Sequence, residues 1–523
     1  MLYYPQLQRV ADTVAFHAER QPDTVAVTCE GREVTYAELH RESNRTARAI
    51  LAAGLRRGAR IGFLGKESEH YYELLFACAK SETVLVPVNW RLTAPEVDHI
   101  LRDSGAELLF VEHEYLSALG DRTGLPRLRA VVEADAPGSP DTGLRAFKAG
   151  HGDEDLEPAT TPDDPIVQLY TSGTTGLPKG VVLAQRSFFK IRDGLAGEGL
   201  DWIDWKPGDR SLIGIPGFHV GGIWWAMQGF NAGITNVSMR AFVSQDAVRL
   251  IRDEAVTTAC VVPAMLQMML SEPGVGPDDF KTLRKAVYGG SPISERLLQQ
   301  CIDVLDADLA QIYGLTETGN TAVCLPPYAH VTGSPRLRAA GRPYPGVRVK
   351  VIDGDGAELP PGEVGEICLH TPAVMLEYWG LEQETLKTLV DGWLHTGDAG
   401  YVDEDGFIFI SDRIKDCIIV AGENVYPAEI ENALCKHPAV AEAAVIGVPH
   451  EQWGEAIHAF VALRSGQQAT ARELMMSLKG VIADFKIPTQ YDFIDAVPRN
   501  PSGKILRRTL RDRFWAAMDR NVN

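Results

Sequence analysis

The chain has 523 residues, of which 45% are hydrophobic and 23% are charged, and its formal net charge is -19. This composition indicates a folded protein with a large apolar core, and the excess negative charge argues against nucleic acid or an anionic membrane surface as its main partner. The eight cysteines include no C-x-x-C pair, so no zinc or disulfide framework is predicted; with no export signal visible at the start, a reduced, cytoplasmic protein is expected.

Helix-like and strand-like patterns alternate over the first 160 residues. A helix is predicted from Thr35 to a stop at Gly54, because apolar residues recur there at helical spacing. Strands are predicted at 61–64 and 84–88, with a helix at 71–80 between them. This alternation favours a doubly wound α/β domain. Residues 135–164, which are rich in alanine, proline, glycine and aspartate, are expected to form a surface linker.

A loop rich in glycine and threonine follows, between apolar runs at 166–170 and 181–183 that are predicted to be strands. Glycines let backbone N–H groups approach an anion, and Lys179 adds a positive charge, so the loop is predicted to bind a polyphosphate. Pro178 stands where the kinase-type phosphate loop requires glycine, which excludes that motif. The other residues of the predicted site are Thr171, Ser172, Gly173, Thr174, Thr175 and Gly176.

Residues 211–239 carry no Asp, Glu, Lys or Arg. The segment is long enough to span a bilayer, but it contains Pro216 and six glycines. We therefore interpret it as the buried wall of a cleft, with no membrane span. His219, Val220, Trp224 and Trp225 are its candidates for lining a ligand pocket, and plain core packing is an equal alternative for the tryptophans.

Two glycine turns follow strand-like runs further along the chain. Ligands of α/β sheets bind at the carboxyl ends of strands, where such turns lie. Tyr313 offers a flat face for a purine, Thr316 a hydroxyl group for a phosphate, and Glu317 a hard oxygen for Mg²⁺. The full set of candidates in the two turns is Gly289, Gly290, Ser291, Pro292, Gln311, Tyr313, Gly314, Thr316 and Glu317.

Residues 340–411 are predicted to be rich in β-structure. Asp398 could accept both hydroxyl groups of a ribose, and Arg413 could reach the ribose or a phosphate. We predict a large domain at 1–411, a hinge at 412–415 and a small α+β domain at 416–523. Near the end of the small domain, a turn-rich loop presents Lys504. The basic run at 504–513 is interpreted as a solvated helix, because Asp512 interrupts it and the whole chain is acidic.

The loop at 170–180, together with the motifs at 311–318, 392–398 and 411–416, resembles the signature of the AMP-forming acyl-adenylate enzymes. These are the acyl-CoA synthetases, the luciferases and the adenylation domains of peptide synthetases. The resemblance runs from about Thr35 to Arg508, with the motifs in the expected order. It implies two steps: a carboxylate attacks ATP to give an acyl-AMP and pyrophosphate, and a thiol, that of coenzyme A, then takes the acyl group.

The resemblance also implies roles for individual residues. Lys179 contacts the departing pyrophosphate, Lys504 lies between the carboxylate and the α-phosphate, and Lys415 is the hinge on which a mobile small domain turns. Mg²⁺ is held by Thr171 and Glu317, and His219 stands at the junction of acyl pocket and thiol tunnel. The nucleotide set is the phosphate loop, the two glycine turns, Asp398, Arg413 and Lys504. The residues implied for the second step are Gly422, Glu423, Asn424, Trp453 and Phe485.

This sequence departs from the family pattern at a few positions. Gln185 stands where many relatives have histidine. Trp453 and Phe485 match aromatic positions that stack on the adenine of coenzyme A in one aryl-CoA ligase branch. Ile487 and Thr489 stand where that branch has basic residues for the 3′-phosphate. Coenzyme A therefore docks differently here, or another thiol acceptor is used.

The sequence interpretation is an acyl-CoA synthetase that takes ATP, Mg²⁺, coenzyme A and an apolar fatty or aryl acid, and it is compatible with a homodimer. Three alternatives stay open: an amino-acid-activating domain, a luciferase-like oxygenase and a nucleotide-binding regulator without turnover. The first would want an Asp after Phe218, where His219 stands. The regulator is disfavoured because Lys504, Glu317, Asp398 and Arg413 are all present.

Overall fold

Four sheets organise the described part of the chain. The computed structural model describes residues 2–120, 125, 127–135, 143–171, 178–420, 423–450, 453–499 and 505–515, apart from the side chain of Asn424. The predicted site residues 172–176, Gly422 and Lys504 lie outside the described residues. Two sheets belong to a large α/β unit, a third is the predicted β-rich part, and the fourth lies in the C-terminal region.

The strands up to the predicted hinge are β1 (Val25–Cys29), β2 (Arg32–Thr35), β3 (Arg60–Leu64), β4 (Val84–Val88), β5 (Leu108–Val111), β6 (Ala130–Glu133), β7 (Pro165–Thr171), β8 (Lys179–Ala184), β9 (Arg210–Ile213), β10 (Thr235–Ser238), β11 (Thr258–Val261), β12 (Lys285–Gly289), β13 (Asp308–Tyr313), β14 (Val323–Leu325), β15 (Arg342–Pro343), β16 (Arg348–Ile352), β17 (Gly365–His370), β18 (Glu377–Tyr378), β19 (Leu389–Val390), β20 (Trp393–Val402) and β21 (Ile408–Arg413). The helices of the same part are α1 (Val10–Arg20), α2 (Tyr36–Ala52), α3 (Glu69–Lys80), α4 (Ala94–Ser104), α5 (Gly143–Lys148), α6 (Lys190–Gly197), α7 (Val220–Ala232), α8 (Ser244–Asp253), α9 (Pro263–Leu270), α10 (Glu295–Leu305) and α11 (Glu382–Thr388).

After the predicted hinge, the strands are β22 (Ile418–Val420), β23 (Glu423–Val425), β24 (Val440–His450), β25 (Gly454–Leu463) and β26 (Gln490–Phe493). The helices are α12 (Pro427–Leu434), α13 (Ala471–Leu478) and α14 (Arg507–Trp515). These strands form a sheet of their own, in which β24 and β25 pair antiparallel along their whole length. An α+β unit follows the predicted hinge, as the sequence analysis expects for this region.

The two large sheets confirm the predicted doubly wound α/β class. One has nine strands in the order β15-β14-β13-β12-β11-β9-β10-β1-β2, and the other has seven in the order β18-β8-β7-β4-β3-β5-β6. Neighbours β9 to β13 run parallel, as do β3 to β7, so their carboxyl ends meet at common edges. The main core lies between the helices and these sheets, and it includes Tyr71, Tyr72 and Phe230.

Local sequence signals account for several element boundaries. Thr35 caps α2 through a reciprocal capping box with Glu38, and Ser294 caps α10 by accepting a hydrogen bond from the backbone N–H of Leu297. β4 is buried along its whole length, as its apolar composition predicts for a strand covered on both faces. α2 and β4 therefore lie where the sequence places them.

The predicted surface linker at 135–164 is partly wrong. It contains α5, whose Leu144 is buried. The following residues are tied to α2, because Asn44 and Arg45 donate hydrogen bonds to Asp153 at 2.8 Å each. Long polar side chains on α2 thus fix a segment whose own composition predicts a loop.

The uncharged segment at 211–239 forms β9, α7 and β10 with their connections. Trp224 and Trp225 on α7 are each 2% exposed. Among the described residues, no helix is long and apolar enough to cross a membrane. The interpretation of this segment as a buried wall fits its position in the main core.

A buried ionic cluster lies at the predicted hinge. Arg507 on α14 approaches Asp412 at 3.7 Å, Asp416 at 3.6 Å and Glu431 at 2.8 Å. Asp412 belongs to β21, yet it also accepts a hydrogen bond at 2.9 Å from the backbone N–H of Ala428, in the first turn of α12. The cluster therefore joins the third sheet to elements beyond the hinge.

Candidate active site

Three predicted site residues meet in what we term the Asp398 cluster, which consists of Tyr313, Asp398 and Arg413. Asp398 and Arg413 are cross-strand partners on β20 and β21, and Arg413 Nε lies 2.7 Å from Asp398 Oδ1. The hydroxyl group of Tyr313, at the end of β13, donates to Asp398 Oδ2 at 2.6 Å. Burial first, and then the charge of Asp398, raise the pKa of Tyr313 well above its usual value. Tyr313 therefore stays a hydrogen-bond donor at neutral pH.

A second group, the Lys179 cluster, consists of Lys179, Glu317, Tyr378 and Glu384. Lys179 begins β8 and pairs with Thr171 at the end of β7. Its Nζ donates to Glu384 Oε2 at 2.7 Å and lies 5.2 Å from the ring centroid of Tyr378. Lys179, the lysine that is predicted to bind phosphate, therefore lies at the edge of the seven-stranded sheet where β7 ends and β8 begins.

Glu317 lies in a short helical turn, Thr316–Thr318, beside this edge. Its Oε1 accepts a hydrogen bond from the hydroxyl group of Tyr378 at 2.6 Å, and its backbone carbonyl accepts one from Met375 at 2.8 Å. Its Oε2 accepts no hydrogen bond from the described residues. A free carboxylate oxygen and the Thr171 hydroxyl group are the kinds of oxygen donor that Mg²⁺ prefers, so their chemistry suits the metal that the sequence predicts there, and the metal site itself stays a prediction.

The glycine turns at 289–292 and 311–314 lie next to each other. β12 and β13 pair in parallel, with Gly289 opposite Ile312, so both turns leave the same edge of the nine-stranded sheet. A Cβ on Gly289 would lie 2.3 Å from the carbonyl oxygen of Ile312, and Gly290 has a φ of +83°. Only glycine suits either position, and the turn leaves Gly290 and Pro292 exposed and Ser291 half-buried.

His219 occupies the N-cap position of α7, next to Val220, and its side chain makes no capping hydrogen bond. Its Nε2 is buried without a hydrogen-bond partner, and burial first, then the charge of Arg91, lowers its pKa to about 4. The indole N–H groups of Trp224 and Trp225 also lack partners, and Trp225 packs 4.8 Å from Trp205. Both tryptophans lie in the main core, which suits the packing alternative; their part in an acyl pocket stays a prediction.

The residues predicted for the hinge and the second step lie after β21. Burial lowers the pKa of Lys415, which sits in the turn Ile414–Asp416. Glu423 and Asn424 are on β23. Trp453 is 41% exposed and stacks on His450 at 4.3 Å, and Phe485 is 46% exposed. His450 therefore covers one face of the Trp453 ring, and the role of both aromatic residues in stacking on coenzyme A stays a prediction.

A cluster that the sequence did not indicate lies behind Asp398. Ligand atoms of Glu366, Cys368 and His395 fall within 4.8 Å of one another. The two carboxylate oxygens of Glu366 already accept hydrogen bonds, one from His395 Nδ1 at 3.0 Å and one from the backbone N–H of Gly397 at 2.9 Å. Burial raises the pKa of Cys368 to about 12, which opposes the thiolate form that binds metals. We interpret the cluster as support for the strand that carries Asp398.

Sequence reasoning did not find Tyr378, Glu384 or Arg507. Tyr378 and Glu317 are 61 residues apart, and Glu384 and Lys179 are 205 apart. For Tyr378 and Glu384, the sequence offers residue type as its one signal. A tyrosine and a helix that begins with acidic residues follow a strand near the nucleotide motifs. The sequence places Arg507 in a solvated basic run, whereas its side chain is 15% exposed and lies beside three carboxylates.

The chain belongs to the AMP-binding enzyme family, whose model matches residues 14–379, and the model of that family's C-terminal domain matches residues 429–504. Its class is therefore that of the AMP-forming acid–thiol ligases, which activate a carboxylic acid as an acyl-adenylate and then transfer the acyl group to a thiol.

Particular relatives cover nearly the whole chain. It is 65% identical to the fatty acid–[acyl-carrier-protein] ligase ScoC of Streptomyces coeruleorubidus, over 100% of this chain and 99% of that one. It is 36% identical to the feruloyl-CoA synthase of an Amycolatopsis species, over 95% and 97%. The structure of o-succinylbenzoate CoA synthetase from Bacillus subtilis with its acyl-adenylate intermediate is 31% identical and superposes with a TM-score of 0.83, over 96% and 98% of the two chains.

Proposed function

We propose that this enzyme activates a fatty acid with ATP and transfers it to the phosphopantetheine thiol of an acyl carrier protein. The observation that carries this proposal is the 65% identity, over the whole chain, to a relative named as a fatty acid–[acyl-carrier-protein] ligase. The relative named as a CoA synthase is 36% identical. A carrier-bound arm presents the same thiol as coenzyme A but lacks the adenosine 3′-phosphate.

The small region around Phe485 supports a carrier over coenzyme A. Lys486 is its one nearby cation, and its Nζ is held by the carboxylate of Glu429 at 2.8 and 3.0 Å. Ile487 and Thr489 add no charge, and the hydroxyl group of Thr489 donates to the carbonyl of Ile457 at 3.2 Å. A free 3′-phosphate would find no unpaired cation among these residues.

Coenzyme A is the second candidate acceptor. The partly exposed rings of Trp453 and Phe485 favour it, because an aromatic ring can stack on an adenine. The two acceptors share the phosphopantetheine arm and differ in what carries it, an adenosine 3′-phosphate or a protein, so they can be compared directly on one enzyme.

The nucleotide chemistry follows from the two clusters. Two unit charges 4 Å apart repel by roughly 4 kcal/mol at an effective dielectric of 20, which opposes attack of a carboxylate on ATP. In our proposal Asp398 accepts the ribose hydroxyl groups, Lys179 binds the outer phosphates and Lys504 neutralises the reacting pair. Thr171 and Glu317 would hold Mg²⁺, which when bound offsets the phosphate charge. His219, neutral at pH 7, adds no charge beside an apolar acyl chain.

The experiment offers the purified enzyme ATP, a series of straight-chain and aryl acids, and either coenzyme A, a holo acyl carrier protein or the same carrier without its phosphopantetheine. We expect AMP release with the holo carrier to exceed that with coenzyme A at least tenfold, and a carrier mass shifted by one acyl group. Equal or faster turnover with coenzyme A would overturn the carrier proposal. ADP in place of AMP would overturn the chemistry.

The role of Lys504 is tested by separating the two steps. Lys504→Ala should lower ATP–pyrophosphate exchange by about a thousandfold, because a positioned charge at a developing anion contributes several kcal/mol. Thioester formation from supplied acyl-AMP should stay within about threefold of the original enzyme. Arg508→Ala, on the exposed side of α14, is the control; equal loss of both steps in Lys504→Ala would contradict the assignment.

We also place the reaction in the cytoplasm. All eight cysteines fall among the described residues and are free thiols, as a reducing compartment requires.

A further inference from the structure

A short segment holds two groups of the Lys179 cluster from one side. β18 pairs antiparallel with β8, with Tyr378 opposite Val181, and the backbone N–H of Trp379 donates to the carbonyl of Gly180 at 2.7 Å. The backbone N–H of Tyr378 donates in turn to the hydroxyl group of Thr385 on α11 at 2.9 Å. The segment from β18 to α11 is therefore fixed to the strand that begins with Lys179.

From this segment, Tyr378 reaches Glu317 and Glu384 reaches Lys179. The phosphate lysine is 14% exposed, and the carboxylate that neutralises it is 35% exposed. An ion pair this close to solvent contributes little to stability, so it can exchange for a stronger partner. A triphosphate carries more negative charge than one carboxylate, so it would compete with Glu384 for Nζ of Lys179.

Glu384 has an alternative partner. Its Oε1 lies 3.3 Å from Nζ of Lys387, one helical turn further along α11. The hydrogen bond from Lys179 and those contacts with Lys387 lower the pKa of Glu384, so it stays charged. When Glu384 is released by Lys179, it would still have Lys387 within reach. This second cation lowers the free-energy cost of the exchange.

We propose that Glu384 is a competing counter-ion of the phosphate site, which pairs with Lys179 until ATP displaces it toward Lys387 and so sets the affinity for ATP. The proposal rests on the proposed function, because it takes Lys179 as the phosphate ligand. It assigns to α11 a role in nucleotide affinity that is separate from the chemical step. By the same exchange, Glu384 returns to Lys179 as pyrophosphate leaves.

The test measures binding of MgATP to the full chain by calorimetry, without acid or thiol. Glu384→Gln should tighten the dissociation constant about fivefold, the size expected for loss of one exposed competing pair. Glu382→Gln is the matched control, since Glu382 starts the same helix, is exposed and has no ion pair among the described residues. It removes the same charge and should leave the constant unchanged.

A combined variant separates this proposal from the proposed function. Lys179→Gln should weaken MgATP binding, and adding Glu384→Gln to it should then have no effect. If Lys179→Gln binds MgATP as the original enzyme does, the assignment of Lys179 fails. If Lys179→Gln binds weakly while Glu384→Gln alone binds no tighter, or more weakly, the counter-ion proposal is overturned and the function stands. A Glu384→Gln gain that persists without Lys179 also overturns it.

Discussion

At the Asp398 cluster, a carboxylate that is 4% exposed is shared by Arg413 and Tyr313, whereas at the Lys179 cluster the carboxylate of Glu384 is 35% exposed and has a second cation nearby. The first arrangement is costly to open, because removing one partner leaves a buried charge unpaired. The second can exchange partners at little cost. One end of the predicted nucleotide site is therefore built to be rigid, and the other to respond to the nucleotide.

The ionic cluster at the predicted hinge, which consists of Asp412, Asp416, Glu431 and Arg507, extends this contrast. It gives the largest expected effect on stability. Burial raises the pKa of Asp412 and Glu431 even beside Arg507. Arg507→Met should therefore lower the free energy of unfolding by about 4 kcal/mol in a urea titration, because buried carboxylates lose their cation.

The control for that variant is Arg513→Met on the same helix. Arg513 pairs with Asp492 in solvent, where the side chains are 55% and 45% exposed. It should change stability by at most about 0.5 kcal/mol. Similar losses in the two variants would contradict the distinction between buried and exposed pairs.

Asp398→Ala should give the next largest effect. It leaves Arg413 without its partner, so we expect a loss of about 3 kcal/mol in unfolding free energy and ATP binding weakened at least a hundredfold. Asp405→Ala breaks an exposed pair with Arg336, whose distance is 2.7 Å, and serves as the control in unfolding and calorimetry. Unchanged ATP affinity in Asp398→Ala would remove this residue from the nucleotide site.

Tyr313→Phe removes a single hydrogen bond from the Asp398 cluster and keeps the ring. A bond to a buried carboxylate contributes about 1.5 kcal/mol, which corresponds to ATP binding weaker by about tenfold. Calorimetry checks this value, and Tyr328→Phe, at an exposed tyrosine, is the control. A loss as large as that of Asp398→Ala would contradict this value and would mean that the hydroxyl group does more than donate one hydrogen bond to Asp398.

The smallest effect concerns His219, whose neutral imidazole is half-buried with its Nε2 out of contact with solvent. Its pKa is lowered from 6.5 to about 4. Below pH 6.5 this histidine is therefore protonated in the unfolded chain, whereas in the folded chain it stays neutral until about pH 4. Folding stability is therefore full above pH 6.5 and falls as the pH drops. Between pH 7 and pH 5 this histidine should account for about 1 kcal/mol, reduced because the side chain is half-buried. His219→Asn should make the pH dependence of urea unfolding shallower by that amount; an unchanged slope would contradict it.

Much of the fold follows from local patterns, and the site does so in part. The capping box at Thr35, the buried strand β4 and the glycine turn at 289–290 are each encoded by neighbouring residues, so the sequence predicts them. The pairing of Lys179 with Glu384 joins residues far apart in the chain, and it depends on how β18 pairs with β8. The contacts that hold 151–157 on α2 are also long-range, which is why a composition typical of a loop concealed an ordered segment with a helix.

Asp412 belongs to the third sheet through its pairing with Ala399, yet it caps α12 and faces Arg507. Any swing of the C-terminal lobe about Lys415 must first uncap that helix and part those charges. If the lobe reorients between the half-reactions, as the resemblance implies, breaking these contacts adds a barrier of its own, so turnover should depend steeply on temperature whenever that step, and not bond formation, limits the rate.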